Sequence, residues 1–567
     1  MPTLRVPFYG DYNQRSFTLA GFAGNSGQDK DQVSKATVLT AVKNALSGAV
    51  TYYVEKRSGF YSVYTLSGLS NPIIGYQLYY SPSTGHVYSY WSSAGVAHLY
   101  DSSAGPSNVD CGIMTTPGSP VWAYFSEIVL SGVTYILIAN GAVGWFLASD
   151  ATTGTLTQAG TTHSNTTVDG ITSTTGYYVG QAYSGSGIAA NTRIASIVNA
   201  NSITLTIAAG TSVTANFTRE AIAKIIDSDF PTDIIGGFVA LDGYVAVCTS
   251  SGKVYNSDLN SVTSWAASSY LTLTQYSGNG VGVFRYKNQI VAFTRGSIEF
   301  LYNAGNATGS PFSSSVQYAT DTKNDGPASP FAVTQINGTV YYIATDGNIY
   351  TLNGFTPQII KTTGAPTGYK AVGFSVGPWC EGFVYNRMSW LNIYNTAASD
   401  NIWYCIDTGT FHAPIPNTLG SPNSPQYVHM TSGAGVTYLT AGSSGGSKIF
   451  SMLDNHLDLT GIQFTDDGNA YTMEVQIATD MGTNDRKTPT ALQVVCDVQS
   501  SGNLNVSWSD DDGVTFTTAR AMPMTAQINM NMTNLGSWRG IRIWKFEHNA
   551  NTPWRGKLLE IDYTVSG

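Results

Sequence analysis

Three consecutive carboxylates form the most chemically suggestive run in the chain, because they lie between residues that favour tight turns. Asp510, Asp511 and Asp512 follow Ser509 and precede Gly513. Carboxylate oxygens ligate hard cations, and an aspartate side chain also accepts hydrogen bonds from the amides of its own turn. The flanking Ser and Gly favour the second chemistry. We therefore predict a hairpin turn organised by Asp511, with a cation site made by the three aspartates as the alternative.

The residues around this run resemble the Asp box of sialidases. The matching positions are Ser509, Asp511, Gly513 and Thr515, and Phe516 stands where that family has Trp. In that family the box is a structural hairpin whose aromatic residue packs beneath the turn. The resemblance therefore implies a role in stability and none in catalysis.

Other residues that could carry chemistry are scattered. Glycoside hydrolysis needs a positioned pair of carboxylates, but Asp466 with Asp467 and Asp400 with Asp407 stand where turns or strand ends would place them. The seven histidines occur singly, and the five cysteines form no metal-binding or redox motif, which predicts buried thiols. The sequence also lacks zinc-protease and P-loop motifs. We expect no enzyme and no catalytic, cofactor or metal site; a sialidase-like glycan hydrolase is the weakest alternative.

The composition is typical of an all-β assembly protein. Only 11% of the 567 residues are charged, whereas 59 are Gly and 35 are Tyr, and an ordinary soluble domain has about 25% charged residues. The net charge is −9, with no run of Lys and Arg that could neutralise successive phosphates. Residues 1–17 lack the apolar segment of a signal peptide. These features argue against tight nucleic-acid binding and against secretion by a signal peptide.

A turn motif repeats along the chain at the spacing of a β-propeller. Gly-x-Val/Ile-Tyr begins at Gly85, Gly252 and Gly347, with looser copies at 296–300 and 446–450, and each copy follows an apolar strand. A four-stranded blade cannot bury both faces alone, so blades must stack around an axis. We predict a propeller of six or seven blades from residues 52–150 and 219–454. Independent hairpins in a large sandwich are the alternative.

Three segments lie outside the repeat. Residues 151–218 are rich in Thr, Ser, Gly, Ala and Asn, with Asp169 and Arg193 as their only charges, which predicts an inserted small β-domain. Residues 455–567 have longer alternating strands, which predicts a C-terminal β-sandwich. Residues 1–51 form the predicted N-terminal arm or docking segment, within which the four-residue spacing of Val38, Val42 and Leu46 predicts a helix over 34–46. The uncharged stretch 128–148 is broken by turn residues, so we predict three short strands there and no membrane span.

Several of these segments resemble the tail hub, nozzle or packaged-DNA stabilisation proteins of short-tailed bacteriophages. Lys56-Arg57-Ser58-Gly59 looks like the Lys-Arg-Pro-Gly strand that opens such proteins, with Ser58 in place of Pro. Parts of the insert resemble a small repeat domain that decorates many phage virion proteins; these parts are residues 179–180, 185–188, 192–194 and 202–205. The C-terminal similarity lies in residues 480–487, 509–513 and 535–542.

The resemblance implies a virion structural protein of the phage tail, present in the host cytoplasm during assembly. Such a subunit forms a nozzle or hub ring, commonly a homohexamer, below the portal and head-to-tail adaptor proteins, and it carries tail fibres or spikes. It would enclose and retain genomic DNA without binding it tightly and without inserting into a membrane. The main alternative is a carbohydrate- or receptor-binding propeller of the virion, because aromatic side chains suit sugar rings.

Overall fold

The computed structural model describes most of the chain beyond residue 53. The described residues are 3–7, 38–43, 45–47, 54–65, 73–93, 96–102, 109–114, 123–151, 154–274, 279–319, 326–361, 378–395, 400–407, 409–412, 428–433, 436–441, 448–453, 462–480, 485–511 and 513–566. They form strands and turns with no α-helix, so the predicted all-β class is confirmed. No helical segment in these ranges has the length and apolarity that crossing a membrane requires.

Seven antiparallel four-stranded units follow one another along the described chain, and we number them blades 1 to 7. In each blade the first strand is innermost, and in blade 7 the outermost strand comes from near the N-terminus. Blade 1 contains β6 (Ile73–Tyr80), β7 (Val87–Ser93), β8 (Val96–Asp101) and β9 (Val109–Ile113); blade 2, β10 (Tyr124–Leu130), β11 (Val133–Asn140), β12 (Val143–Ala148) and β18 (Thr214–Lys224); blade 3, β19 (Ile234–Leu241), β20 (Tyr244–Thr249), β21 (Lys253–Ser257) and β22 (Trp265–Thr272); blade 4, β23 (Gly280–Tyr286), β24 (Gln289–Thr294), β25 (Ser297–Asn303) and β26 (Phe312–Ala319); blade 5, β27 (Val333–Ile336), β28 (Thr339–Ile343), β29 (Ile349–Asn353) and β30 (Thr356–Lys361); blade 6, β31 (Trp379–Tyr385), β32 (Met388–Asn395), β33 (Asp400–Cys405) and β34 (Thr410–His412); and blade 7, β35 (Val428–Gly433), β36 (Val436–Ala441), β37 (Lys448–Leu453) and β5 (Phe60–Thr65).

The blades close into a ring because each neighbouring pair shares an apolar cluster. Between blades 7 and 1, for example, Ile449 packs with Leu78 and Trp91. Corresponding clusters join each of the other six neighbouring pairs. A large apolar side chain contributes about 1.5–3 kcal/mol when fully buried, so these clusters hold the ring together. The predicted propeller is confirmed, and it has seven blades.

The glycine repeat marks the blades, although one copy is out of phase. Gly252 and Gly347 lie in the turns between the second and third strands of blades 3 and 5, at φ of 77° and 79°, where a side chain would be strained. Gly85 instead lies between the first and second strands of blade 1. The same local turn chemistry therefore serves two different positions in a blade.

The stretch 128–148 forms parts of three strands, β10, β11 and β12, as predicted. The structure contradicts the helix predicted over 34–46, of which residues 34–37 and 44 lie outside the described residues. Its described part forms β2 (Val38–Lys43) and β3 (Ala45–Ser47). Strand β2 pairs along the edge of β40 (Met473–Asp480), and this pairing overrides a weak helical period in which Val38 and Val42 are β-branched.

A small barrel interrupts blade 2 between its third and fourth strands. Its strands are β13 (Leu156–Thr162), β14 (Thr167–Asp169), β15 (Gln181–Gly185), β16 (Ile194–Asn199), β17 (Ser202–Leu205) and β18. Strand β18 pairs with β12 of the blade as well as with β13 and β15 of the barrel. The amide of Tyr183 donates to the carbonyl of Thr192 and links β15 to the residues before β16. Because β18 belongs to both units, the predicted boundary at 218/219 falls inside one continuous strand.

The C-terminal residues form two sheets that share one core, as in the predicted β-sandwich. Met473 and Trp544 of one sheet pack in this core with Leu492 and Leu559 of the other. Strands from the predicted N-terminal arm belong to both sheets. The first sheet contains β1 (Thr3–Pro7), β3, β4 (Val54–Lys56), β41 (Arg486–Cys496), β44 (Asn529–Met532) and β46 (Arg555–Ser566); the second contains β2, β40, β42 (Asn503–Ser509), β43 (Arg520–Pro523) and β45 (Ile541–His548). A two-stranded hairpin, β38 (Thr465–Asp466) and β39 (Asn469–Ala470), precedes β40.

Candidate functional site

The inner strands of the seven blades enclose a cavity of about 840 Å³ on the propeller axis. Every inner strand contributes to its wall, so the cavity is the central channel of the propeller. In each blade the free backbone edge of the innermost strand faces this channel, because only its other edge is paired. Those backbone groups need hydrogen-bond partners, which polar side chains, water or a ligand can supply.

Many of these polar side chains tie one blade to the next. Thr334 of blade 5 accepts a hydrogen bond from the amide of Gly382 of blade 6 at 2.9 Å. Glu381 of blade 6 accepts one from the amide of Met430 of blade 7 at 2.8 Å. Its other oxygen accepts from the side-chain amide of Gln77 of blade 1 at 2.7 Å. The carboxylate is therefore used to connect three blades.

A second carboxylate of the channel is bound in the same way. Glu127 of blade 2 accepts hydrogen bonds from the hydroxyls of Ser81 and Ser83 of blade 1, at 2.5 and 2.6 Å. Nearby, the rings of Tyr79 and Phe125 stack between the same blades with centroids 5.5 Å apart. Burial, together with the Glu127 carboxylate, raises the pKa of Tyr79 above its usual range. These groups hold blades together and present no pair of free carboxylates for acid–base chemistry.

Three stacked aromatic rings close one end of the channel. Phe331 lies between Tyr124 and Trp379, with centroid distances of 4.6 and 4.1 Å and interplanar angles of 10° and 13°. Tyr124 and Trp379 are the first residues of their inner strands, and Phe331 lies just before β27. The three rings come from blades 2, 6 and 5. We call them the aromatic stopper.

A buried segment of six residues, 55–60, joins the propeller to the sandwich, and we call it the joint. Arg57 donates to both carboxylate oxygens of Asp466 at 2.8 and 2.7 Å, and both side chains are almost fully buried. Burial alone would lower the pKa of Arg57, but the Asp466 carboxylate raises it. Breaking a buried ion pair by removing one partner costs about 3–5 kcal/mol. This pair therefore fixes the hairpin β38–β39 beneath the propeller.

The neighbours of Arg57 extend the joint in both directions. Glu55 accepts hydrogen bonds from Asn386 of blade 6 at 2.7 Å and from Arg555 of the sandwich at 2.9 Å. The hydroxyl of Ser58 donates to the carbonyl of Leu453 in blade 7 at 2.7 Å. Gly59 approaches the backbone of the β38 hairpin so closely that a Cβ atom would overlap it. Consecutive residues of one segment thus bind two blades, the hairpin and the sandwich.

Lys56 is buried in the joint, at 1% exposure. Its Nζ donates to the carbonyl of Ala550 at 2.7 Å and lies 4.5 Å from the ring centroid of Tyr471. Burial and the neighbouring Arg57 charge lower the pKa of Lys56 to about 7. The joint therefore contains one amine that changes its protonation state near neutral pH.

The residues of the predicted Asp box lie together in the turn that follows β42. Asp511 accepts hydrogen bonds from the hydroxyl of Ser509 and the amide of Thr515, at 2.6 and 2.9 Å. These bonds lower the pKa of Asp511 to about 2. Gly513 has a φ of 82°, which suits a residue without a side chain. Phe516 is half-buried, with Lys545 Nζ 4.9 Å from its ring centroid.

The first aspartate of the run is paired with an arginine side chain. Asp510 accepts two hydrogen bonds from the guanidinium of Arg542, at 2.6 and 2.7 Å. Asp512 lies outside the described residues. Within the described ranges, no group of three His, Cys, Asp or Glu side chains could hold a metal ion. The guanidinium of Arg542 therefore occupies both carboxylate oxygens of Asp510.

The remaining candidates have separate structural partners. Asp466 binds Arg57, whereas Asp467 pairs with Lys448 at 2.8 Å. These adjacent carboxylates therefore do not form a catalytic pair that faces one substrate. Asp407 accepts a hydrogen bond from the amide of Ser389 at 2.6 Å. All five cysteines are buried thiols, as predicted. Sequence reasoning missed the aromatic stopper, because its residues come from three distant blades and share no local motif.

Comparisons with known proteins find remote structural similarity and no family. No family model and no curated protein matches the chain. Among solved structures, it is similar to BamB from Moraxella catarrhalis at 9% identity and a TM-score of 0.34, covering 75% of this chain and 98% of BamB. It is also similar to the computationally designed Ika8 protein, at 11% identity and a TM-score of 0.32 over 67% and 84% of the two chains. A glycoside hydrolase matches at 10% identity and a TM-score of 0.21 over 86% and 97%. Similarity at these TM-scores carries no argument about function.

Proposed function

We propose that this chain is a structural subunit of the tail nozzle or hub of a short-tailed bacteriophage, and that it is not an enzyme. The observation that carries the proposal is the joint. Its Lys56-Arg57-Ser58-Gly59 segment is the one that resembles the opening strand of that family, and its side chains lock the propeller to the sandwich. A conduit subunit needs such a rigid connection between its domains, whereas a catalytic centre does not.

The use of the charged residues supports the same proposal. Arg57, Arg542 and Arg555 form ion pairs inside the protein, which leaves fewer cations to contact phosphates. A surface with few cations would let DNA pass without holding it, because each neutralised phosphate adds to affinity. The aromatic stopper closes the propeller channel at one end. We therefore propose that the genome passes through a lumen formed between copies, and not through the propeller axis.

In this proposal six copies form a ring below the portal and head-to-tail adaptor proteins, and the ring carries tail fibres or spikes. The protein would be located in the virion tail and, during assembly, in the host cytoplasm. It would enclose DNA without tight binding and would not insert into a membrane. The inserted barrel would project from blade 2 as a decoration of the ring.

Oligomeric state tests the proposal. The purified full-length chain is examined by native mass spectrometry over a range of micromolar concentrations, and its particles are then imaged by electron microscopy. The expected result is a closed homohexamer with a central lumen wide enough for duplex DNA. A monomer that persists across the range would contradict the ring. If that monomer also bound cell-surface glycans, the receptor-binding alternative would be favoured.

A further inference from the structure

The central channel contains polar groups that the protein itself leaves unused, although its carboxylates are occupied. Among the described residues, Oε1 of Gln77 and the hydroxyl of Tyr124 are buried without a hydrogen-bond partner. Gln335 also lines the channel, and its exposed side chain has no partner in the described structure. Arg285 donates through Nε and Nη1 to the carbonyls of Lys287 and Ala240, which leaves Nη2 available. Buried polar groups are normally paired, so the unpaired atoms of Gln77 and Tyr124 are unusual, whereas Gln335 and Arg285 are open to the channel.

We propose that the channel is a binding site for a small saccharide. The cavity of about 840 Å³ lies within the range of about 300–1,000 Å³ that is usual for small-molecule sites. The unused groups that a ligand in the channel could reach are the side chain of Gln335, which offers a donor and an acceptor, and Nη2 of Arg285, which offers a donor. A sugar carries hydroxyls that both donate and accept, so it matches this mixed set.

Other ligand classes fit the channel less well. A cation would need free carboxylates, but Glu381 and Glu127 are engaged in bonds between blades. A strongly anionic ligand would need more than one cation, and Arg285 is the single Lys or Arg among the lining residues within the described ranges. An apolar ligand would leave the polar groups unpaired. A neutral ligand with several hydroxyls has none of these disadvantages.

The topology determines how a ligand would enter. The aromatic stopper lies where the inner strands begin, so entry is from the end at which these strands finish. In an antiparallel four-stranded blade, the connection between the third and fourth strands lies at this same end. The inserted barrel occupies that connection in blade 2. The joint also contacts this end, because Asn386 lies in the turn after the inner strand of blade 6. The open mouth is therefore on the face from which the barrel and the sandwich extend.

Saturation-transfer NMR on the full-length chain tests the proposal. The probes are D-glucose, D-galactose, N-acetyl-D-glucosamine, maltotriose and D-glucuronate. At least one of the neutral probes should show transfer and a measurable Kd. Glucuronate binding more tightly than glucose would indicate that Nη2 of Arg285 contacts the ligand, which would still support a saccharide site. If no probe shows transfer, the proposal is wrong.

Two substitutions at one exposed position locate the binding. Gln335→Ala removes one hydrogen-bonding side chain and should weaken binding about threefold to tenfold. Gln335→Trp fills the channel and should abolish binding. Gln527→Ala and Gln527→Trp are the matched controls, because Gln527 is exposed in the sandwich, and they should bind as the unaltered chain does. Unchanged binding by Gln335→Trp would place the site elsewhere and overturn the proposal. The result of this binding experiment does not depend on whether the chain forms a hexameric ring, because native mass spectrometry measures the oligomeric state separately.

Discussion

Lys56 makes the stability of this protein depend on pH in a direction that can be calculated. The unfolded side chain has a pKa of 10.5, whereas burial in the joint lowers the folded value to about 7. Between these values the unfolded state binds more protons than the folded state, so stability rises with pH. Below pH 7 both states bind the proton, and this group adds no further slope.

The size of the effect follows from the shift. Each pKa unit corresponds to about 1.36 kcal/mol, so a protonated Lys56 costs the folded state about 5 kcal/mol in total. Between pH 7 and pH 9 the free energy of unfolding should rise by about 2 kcal/mol. This interval lies below the range in which exposed tyrosines ionise, at about pH 10, so their titration does not obscure the rise.

Lys56→Met should remove this dependence, because methionine keeps much of the chain length but does not titrate. The variant loses the hydrogen bond to the Ala550 carbonyl, which costs about 1 kcal/mol at every pH. Urea unfolding followed by tryptophan fluorescence at pH 7, 8 and 9 measures the slope. Between pH 7 and pH 9, the free energy of unfolding of the variant should rise by about 2 kcal/mol less than that of the unaltered protein.

Lys253→Met is the matched control. Lys253 also lies over a tyrosine ring, with Nζ 4.3 Å from the centroid of Tyr270, but it is only half-buried in blade 3. This substitution should leave the increase between pH 7 and pH 9 in place. If Lys56→Met retained the full increase, the buried amine would not be its source and the reasoning would be refuted.

Four further predictions concern the joint, the Asp-box turn and DNA. Gly59→Ala should destabilise the protein by about 1–3 kcal/mol in thermal unfolding, because its methyl group would overlap the backbone of the β38 hairpin; Gly210→Ala, which has room for a methyl group, should be neutral. The low pKa of Asp511 means that its turn keeps its stabilising bonds above about pH 3.8 and loses them as the pH falls towards about 2; limited proteolysis of the turn should show this loss, and Asp511→Asn should be cleaved equally fast throughout. Phe516→Ala should cost about 1 kcal/mol in urea unfolding and Trp544→Ala about 3–5 kcal/mol, because only the tryptophan is fully buried; equal costs would contradict this. Fluorescence anisotropy should show duplex DNA binding no tighter than about 10⁻⁴ to 10⁻⁶ M at physiological salt, and nanomolar binding with a steep salt dependence would contradict the conduit proposal.

The local pattern of the sequence was sufficient to predict the blades. Turn glycines such as Gly252 and Gly347 define where a strand must reverse, and the apolar residues before them define which strands are buried. Both signals depend on neighbours within a few residues, so the strands and turns can be predicted from the sequence without knowledge of the tertiary structure. The same local rules failed for β2, because a strand edge formed more than 400 residues later supplied its hydrogen bonds.

In the candidate sites, too, the sequence predicted contacts between residues that are close in the chain and missed contacts between distant residues. The sequence alone indicated the Asp-box turn, since Ser509, Asp511 and Thr515 are close in the chain and bond to one another. It gave no sign that Asp510 would bind Arg542, or that Phe516 would be only half-buried. Those outcomes depend on which strands lie beside the turn.

The sequence by itself determined that the chain forms short antiparallel strands with few charges, because composition, alternation and turn chemistry are properties of short segments. Only the tertiary structure decided how the ring closes, with β5 completing blade 7. It also decided that Arg57 meets Asp466, 409 residues away, and that Tyr124, Phe331 and Trp379 meet on the propeller axis. The physical reason is that ion pairs and ring stacks need their partners in contact. Distance along the chain does not predict contact when seven similar blades must first be arranged in order around one axis.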